Sequence, residues 1–562
     1  MNKIAVFPLI VRKERISFFF FCDHVKELFF LDEWTNPFYL IYNLRMENLS
    51  MLAQKVLSML EKDQTKWAEW TQLKDLYPVS ESDAVKGFVD IIKQAKKDQD
   101  KVIVAGDYDC DGIMATTIMV RGLRKFGIEC GFYIPNRIRE GYGLNVDTVR
   151  LAHQRGYKII VTVDNGVKAS KALSLAKELG MKVIVTDHHT IEEDVDCELL
   201  VHPTVMEEQF HTLCGAGVAY ECIRALRTDT EYELELACVA SIGDVMQVTN
   251  QTRAIIQNGL KVLNREKENH LFAFASDRIL NETSVGFQIV PKLNAVGRLS
   301  NLGNVNNVVR YFLSEDLKEI TSMQAQINHI NDLRKKMSEQ MCKDALKKCH
   351  TSQPILFVND ASFHEGIIGL VAGSLSSSYQ KPVIVMTNNE QGFKASMRAP
   401  DGFDCMEFLK DFSGFQEIGG HKQAAGFSID LQDLDEFVKY IRQKIQVYSW
   451  QAKPLDTLLV NEEDISIASI ESLDVMRPFG PGFVCPLFEL NDVQIKSVFD
   501  IQNGKHRKFT LQSGLQCMNF NQSDLDRDKS VISIAGFIGN VQINQYRGKK
   551  QATFIIEKIK YK

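Results

Sequence analysis

The sequence carries no excess of positive charge: 66 Lys and Arg stand against 72 Asp and Glu, a formal net charge of −6. No global basic field announces a nucleic-acid partner, so any such contact must come from local patches. The 12 cysteines form no Cys-x-x-Cys pair and no framework spacing, which reads as reduced thiols in a cytoplasmic protein. No apolar run approaches the roughly 18–20 residues of a membrane span, so no membrane association is expected. The Phe-rich stretch Ser17-Phe18-Phe19-Phe20-Phe21-Cys22 is flanked by charges and does not read as a signal peptide. Repeats and low-complexity segments are absent.

What is present is ordinary globular composition, 45% hydrophobic and 25% charged over 562 residues, enough for about three or four domains. Residues 1–45 show no sustained period. Either Met46, which opens a helical pattern over Leu49–Leu60, is the first residue, or the leading segment is a divergent element; the sequence leaves both open. Strand–helix alternation follows. Val102–Ala105, Ile159–Val163 and Val183–Thr186 are continuous apolar runs of the kind buried on both faces of a parallel sheet. Ala115–Phe126 and Ala169–Leu179 read as the intervening helices, the second stopped by Gly180.

Leu317, Ile320, Met323, Ile327, Ile330, Leu333, Met337 and Met341 recur at steps of three or four, predicting one long connector helix. A second α/β unit begins at Pro354–Val358. After Pro454, short strands such as Val531–Phe537 and Ala552–Ile556 predict a small all-β domain of barrel type. The fold class is therefore α/β with a mainly parallel sheet. The domains are an unassigned segment 1–45, a first domain 46–312, a connector helix 313–350, a second α/β domain 351–450 and a β domain 451–562.

Three neighbouring strands end in Asp: Asp107-Tyr108-Asp109-Cys110-Asp111-Gly112, Asp164-Asn165-Gly166 and Asp187-His188-His189. Ligands of open α/β sheets sit at the carboxyl ends of strands. Carboxylates about 4 Å apart repel by about 4 kcal/mol at an effective dielectric near 20, so such a cluster implies a cation or protonation. Oxygen ligands with an imidazole suit Mn2+ or Mg2+. Asp107 and Asp109 are two residues apart, which in extended chain puts both on one side. Asp244 adds a fourth acid. Four carboxylates balance two divalent ions, as in a site that clamps a phosphate and activates water.

The ordered set of these motifs, ending in Gly243-Asp244-Val245, resembles the four metal motifs of the DHH phosphoesterases. Ile134-Pro135-Asn136-Arg137 with Glu140–Asn145, and Pro291–Arg298, resemble the RecJ branch in particular. His364–Gly369, Lys394–Arg398 and Gly419-Gly420-His421 resemble the DHH-associated domain. Arg477–Gly482 with Pro486-Leu487-Phe488 resembles the lead into an OB domain.

The resemblance implies that Asp107, Asp109, Asp164, His188 and Asp244 hold two divalent ions, Mn2+ or Mg2+, with Asp109 and Asp164 bridging. His189 would orient a ligand or the scissile phosphate, and Asp111 and Asp187 would support ligands or cap helices. Arg137, Arg298, Ser396 and Arg398 would line the substrate groove, and Asn294 and His421 the cleft between lobes. Gly419 and Gly420 would admit a phosphate close to the backbone. Lys505–Phe509 and Tyr546–Lys550 interleave basic and aromatic residues for single-strand contact. Cys110, where the family usually has a small residue, is expected to be buried packing.

The implied activity is 5′→3′ digestion of single-stranded DNA to mononucleotides, in repair and recombination, by a cytoplasmic monomer. Single-strand-binding protein and a RecQ-like helicase are implied partners. A phosphodiesterase for short oligonucleotides or cyclic dinucleotides, and a non-catalytic replisome scaffold, are the alternatives.

Overall fold

The structure is a computed structural model. It describes residues 49–562 except 142, 266–269, 278, 390–391, 503, 521–532 and 547–548, together with a two-stranded antiparallel pair, Ala5–Phe7 and Phe19–Phe21.

The apolar runs of the first domain build a five-stranded, all-parallel sheet. Its order is Cys130–Tyr133, Val102–Ala105, Ile159–Val163, Lys182–Thr186, Leu199–Val201. The chain reverses direction across the sheet between the first and third of these strands in sequence. That topological switch opens a crevice beyond their carboxyl ends. Both faces are covered, one by the main core and one by a smaller cluster around Val149, Leu173 and Val183. This double burial is why the runs are continuously apolar. The first crossover helix is Cys110–Phe126, beginning five residues before the apolar pattern that predicted it, because Asp109 caps it from inside the acidic motif.

The connector helix spans Leu317–Lys348. Ile327, Ile330 and Met341 are buried, while Leu317 is 78% exposed and lies off the packed stripe. Beyond it, a mixed five-stranded sheet runs Phe415–His421, Ala424–Ile429, Gly392–Arg398, Val383–Asn389, Leu356–Asn359. Ile384, Met386, Ala395 and Met397 face a private core, whereas Val383 and Val385 face the core shared with the first domain. The second lobe thus turns one sheet face toward the crevice side.

The C-terminal domain is a seven-stranded sheet, with Thr457–Leu459 and Ile495–Ile501 at its two edges among the described residues. It also includes a short helix, Ile467–Leu473, so the expectation of an all-β domain needs that addition. A larger difference concerns the N-terminal boundary. The helix Met51–Leu60, read from sequence as part of the first domain, buries Leu52, Ala53, Val56 and Leu57 in the core of the C-terminal domain. The Ser50 amide donates to Ser472 Oγ at 3.0 Å, and Lys55 pairs with Asp464 at 2.8 Å. An amphipathic helix advertises an apolar face but not which distant surface covers it.

Candidate metal and nucleic-acid site

Each acid reaches the crevice from a defined local structure. Asp107 follows strand Val102–Ala105, and Asp164 follows the adjacent Ile159–Val163. Asp109 accepts from the Gly112 amide at 3.1 Å as helix cap. Asp164 has φ +60, an unusual conformation for a non-glycine residue and one found at functional sites. Asp244 lies at the C-terminal cap of the Glu231–Gly243 helix. A carboxylate there faces the negative end of the helix dipole, an unfavourable position that a nearby cation or protonation relieves.

His188 stands among them. Its Nε2 lies 3.1 Å from Asp164 Oδ1, 3.6 Å from Asp244 Oδ2 and 3.7 Å from Asp111 Oδ2. Ligand atoms of Asp107, Asp109 and Asp164 fall within 4.8 Å of one another, as do those of Asp164, His188 and His189, and of Asp111, His188 and Asp244.

The electrostatics are those of a site built for a cation. Burial, reinforced by Asp109, pushes the Asp107 carboxyl well above its ordinary range. Burial and the surrounding acids do the same to Asp164, and push Asp244 up to about 8. Burial lowers His188, which favours the neutral imidazole a metal needs. Asp107 Oδ1 is buried without a hydrogen-bond partner. That orphaned oxygen, with an oxygen-rich donor set and one imidazole, fits a hard divalent ion such as Mn2+ or Mg2+. The nearby Cys110 and Cys214 are buried, and burial pushes their thiols far up, so neither offers a thiolate.

Asp111 and Asp187 are engaged differently. Asp111 accepts from Gly215 N at 2.7 Å and Ala216 N at 2.8 Å, so it caps the helix Gly215–Ala225 rather than its own. Asp187 accepts from Val167 N and from His189 Nδ1 at 2.8 Å. This carboxylate outweighs burial and raises His189, leaving the other ring nitrogen toward the site. His202, which sequence reasoning did not single out, donates from Nε2 to the His189 carbonyl at 3.0 Å.

The Val290–Arg298 helix carries Asn294 and Arg298 to the acid loop. Asn294 Oδ1 accepts the Cys110 amide at 2.7 Å, so this side chain braces the loop. A Cβ at Gly297 would collide with the Tyr108 carbonyl, so only glycine lets the helix approach this closely. Arg137 stacks over the Tyr108 ring at 4.7 Å. Tyr108 was overlooked in the sequence because an aromatic between two acids has no signature of its own. Arg137 sits on a loop fixed by Glu140, which accepts from Tyr133 Oη and Asn136 N at 2.7 Å each.

In the second lobe, Arg398 donates to Ser396 Oγ at 2.8 Å. Arg398 pairs across the sheet with Ala424, and Ala424 with His421; Ser396 pairs with Gly426, and Gly426 with Gly419. Directly paired residues share a face. Ser396, Arg398 and His421 therefore line the face turned toward the first domain, with two glycines leaving it open beside Ser396. Gly420 falls on the opposite parity, at φ +151, where a Cβ would collide with the Ala424 carbonyl. A Cβ at Gly366 would collide with the Arg298 carbonyl, so the lobes touch beside the arginines.

The basic runs of the C-terminal domain read differently in three dimensions. Phe509 is fully buried in the core and Arg507 pairs with Asp500 at 2.7 Å, so neither is open to a base or phosphate. Phe499, 68% exposed and paired across strands with Lys508, is the aromatic that faces outward there. In the second run, Lys550 pairs with Glu471 at 2.6 Å, while Arg547 and Gly548 lie outside the described residues.

Comparison with known proteins gives matches over each domain. Residues 101–243 match the DHH family, N-terminal domain; 352–447 match the DHHA1 domain; 458–558 match the RecJ OB domain. A single-stranded-DNA-specific exonuclease RecJ of Bacillus subtilis is 32% identical over 514 residues, covering 87% of this chain and 64% of that protein. The chain thus spans less than two thirds of the length of that relative. The Haemophilus influenzae protein of the same name is 25% identical, with 87% of this chain and 92% of its own covered. Among solved structures, RecJ in complex with Mn2+ from Thermus thermophilus superposes with TM-score 0.78 at 22% identity, covering 92% of this chain and 76% of that chain. An exonuclease RecJ bound to manganese gives 0.58 at 27%, covering 66% and 97%.

Proposed function

The chain belongs to the RecJ family of DHH-domain proteins, and on that premise we propose that it hydrolyses single-stranded DNA from the 5′ end, releasing mononucleotides. Asp107, Asp109, Asp164, His188 and Asp244 would hold two divalent ions, Mn2+ or Mg2+. Bound there, the ions supply Lewis acidity to a phosphate and acidify a water. The observation that carries the reading is the juxtaposition of a buried acid cluster with arginines that have no carboxylate partner among the described residues.

The protein's own residues have separable tasks. Asp187 fixes His189 with Nδ1 bonded, so its other ring nitrogen is presented to the scissile phosphate, where the imidazolium donates. Arg137, Arg298 and Arg398, with Ser396, offer forked donors to a terminal phosphate and its neighbour. That seat fits a phosphate-bearing chain end, which would set the first phosphodiester over the acids. The C-terminal domain, whose match is an OB domain, would hold the trailing strand.

The test is digestion of 5′-labelled and 3′-labelled single strands with Mn2+, Mg2+ or chelator, in wild type and Asp164→Ala. Early release of 5′ label as mononucleotide, dependent on metal and lost in the variant, is the expected result. Turnover of di- or trinucleotides alone would point to the small-substrate alternative, and binding without turnover to the scaffold.

A further inference from the structure

The connector helix reads from sequence as packing, and most of its stripe is. Met323 and Ile327 border Val296 and Gly303, and a Cβ at Gly303 would meet Ile330 Cδ1 at 2.6 Å. One turn past Ile330 the same stripe presents Arg334. Its Nη2 donates to Asn331 Oδ1 at 2.7 Å, and Asn331 is 2% exposed. Its Nε is buried and has no acceptor. Among the described residues, no carboxylate lies within ion-pair reach of Arg334, Arg137, Arg298 or Arg398.

A guanidinium does not shed its charge, and an orphaned buried donor costs free energy unless a ligand satisfies it. An arginine serving only as a solvated helix surface would keep Nε wet and would not be clamped by a buried asparagine. Burial lowers Arg334, Arg298 and Arg398 alike, and Arg298 also feels the charge of Arg137 and Arg334. Arg298 thus feels two other guanidiniums and Arg398 feels Arg137, and a phosphate bound among them would offset that repulsion.

We propose that Arg334 is a phosphate-binding residue, through which the connector helix holds a backbone phosphate of single-stranded DNA beside the one held by Arg298. This rests on the single-strand reading above and adds a contact to it. The asparagine fixes one arm of the guanidinium and leaves Nη1 for the phosphate. Because the helix joins the two lobes, the contact would register the strand to both.

The experiment is binding of a fluorescent oligothymidylate to the full chain in chelator, over a series of salt concentrations. For a single strand, each phosphate contact contributes about 0.7 to the log–log salt slope. Arg334→Gln is expected to make the slope shallower by about 0.7 and to weaken binding by about tenfold at moderate salt. Arg334→Lys keeps the charge and loses the fork, so it should keep the slope and bind a few-fold more weakly; unchanged affinity in this variant would count against the proposal. Lys343→Gln, on the exposed side of the same helix, should leave the slope alone. An unchanged slope in Arg334→Gln, or an equal fall in Lys343→Gln, overturns the role of Arg334. If wild type binds no oligothymidylate and cleaves no long strand, the single-strand reading fails and the contact fails with it. If wild type binds and cleaves while Arg334→Gln keeps its slope, only the contact is wrong.

Discussion

The Cys110 amide donates to Asn294 Oδ1 at 2.7 Å across 184 positions of sequence. Asn294 is one turn before Arg298 on the same helix, so the acid loop and a phosphate-seeking arginine share one rigid link. Asn294→Ala would orphan a buried amide, at about 1–3 kcal/mol. It would also loosen the acid positions, and misplacement on the scale of about 1 Å costs about a hundredfold in rate. The expected outcome is cleavage lowered by that order together with weaker Mn2+ binding by calorimetry. Unchanged Mn2+ affinity would mean the bond does not position the loop.

Two glycines in helices should respond oppositely to alanine. At Gly215 a Cβ would lie 2.5 Å from Asp164 Cβ, whereas at Gly373 nothing lies within 4 Å. Gly373→Ala should raise the melting temperature, by the helical preference of up to about 1 kcal/mol. Gly215→Ala should lower it and abolish cleavage. Thermal melts of both variants check this; a destabilised Gly373→Ala would contradict the packing described.

Without metal, stability should fall as pH rises. Burial, then Asp111, holds the Asp244 proton up to about pH 8 in the folded chain. Unfolded, the same group ionises near the ordinary carboxylate value. Between the two the folded state binds more protons, so its stability is full at the acid end and is lost toward about pH 8. Asp107 and Asp164 are shifted in the same direction. Melting of chelated protein from about pH 5 to about 8.5 should show a declining midpoint, with Mn2+ restoring more at the alkaline end. A midpoint rising over that window would be incompatible with the cluster.

Arg253 is the keystone between domains. Fully buried, it donates to Trp70 O, Met476 O and Pro478 O at 2.8–2.9 Å, and lies over Trp70 and Phe483, which stack at 4.1 Å. Arg253→Met should cost about 3 kcal/mol or more, since it leaves three carbonyls without donors. Denaturant unfolding, with limited proteolysis between the first and C-terminal domains, measures it. A loss under about 1 kcal/mol would show that water replaces the guanidinium.

How much could be read in advance varied with the range of the interaction. The parallel strands were legible because burial on both faces leaves a continuous apolar run. Asp107, Asp164 and Asp187 were legible because each follows such a run, whereas Asp244 ends a helix and stood out only through the order of the motifs. The role of Arg334 was hidden in a stripe whose period says only that one side is covered. Phe509 misled, because interleaved basic and aromatic residues look the same whether the ring points inward or outward, and register alone decides that.

The order of amino acids was enough to set the local structure and the chemistry on offer: α/β alternation, strand-end acids, a long connector helix, and motifs ordered as in one family. Which groups meet was settled by packing in three dimensions. Asp164 meets Asp107 because two strands are neighbours at the sheet's switch point. The Met51–Leu60 helix covers the C-terminal domain because its apolar face fits that core. Arg334 comes near Arg298 because the connector packs along the Val290–Arg298 helix. Propensity and burial pattern act over a few residues, whereas these meetings depend on packing among segments up to hundreds of positions apart, which no local pattern encodes.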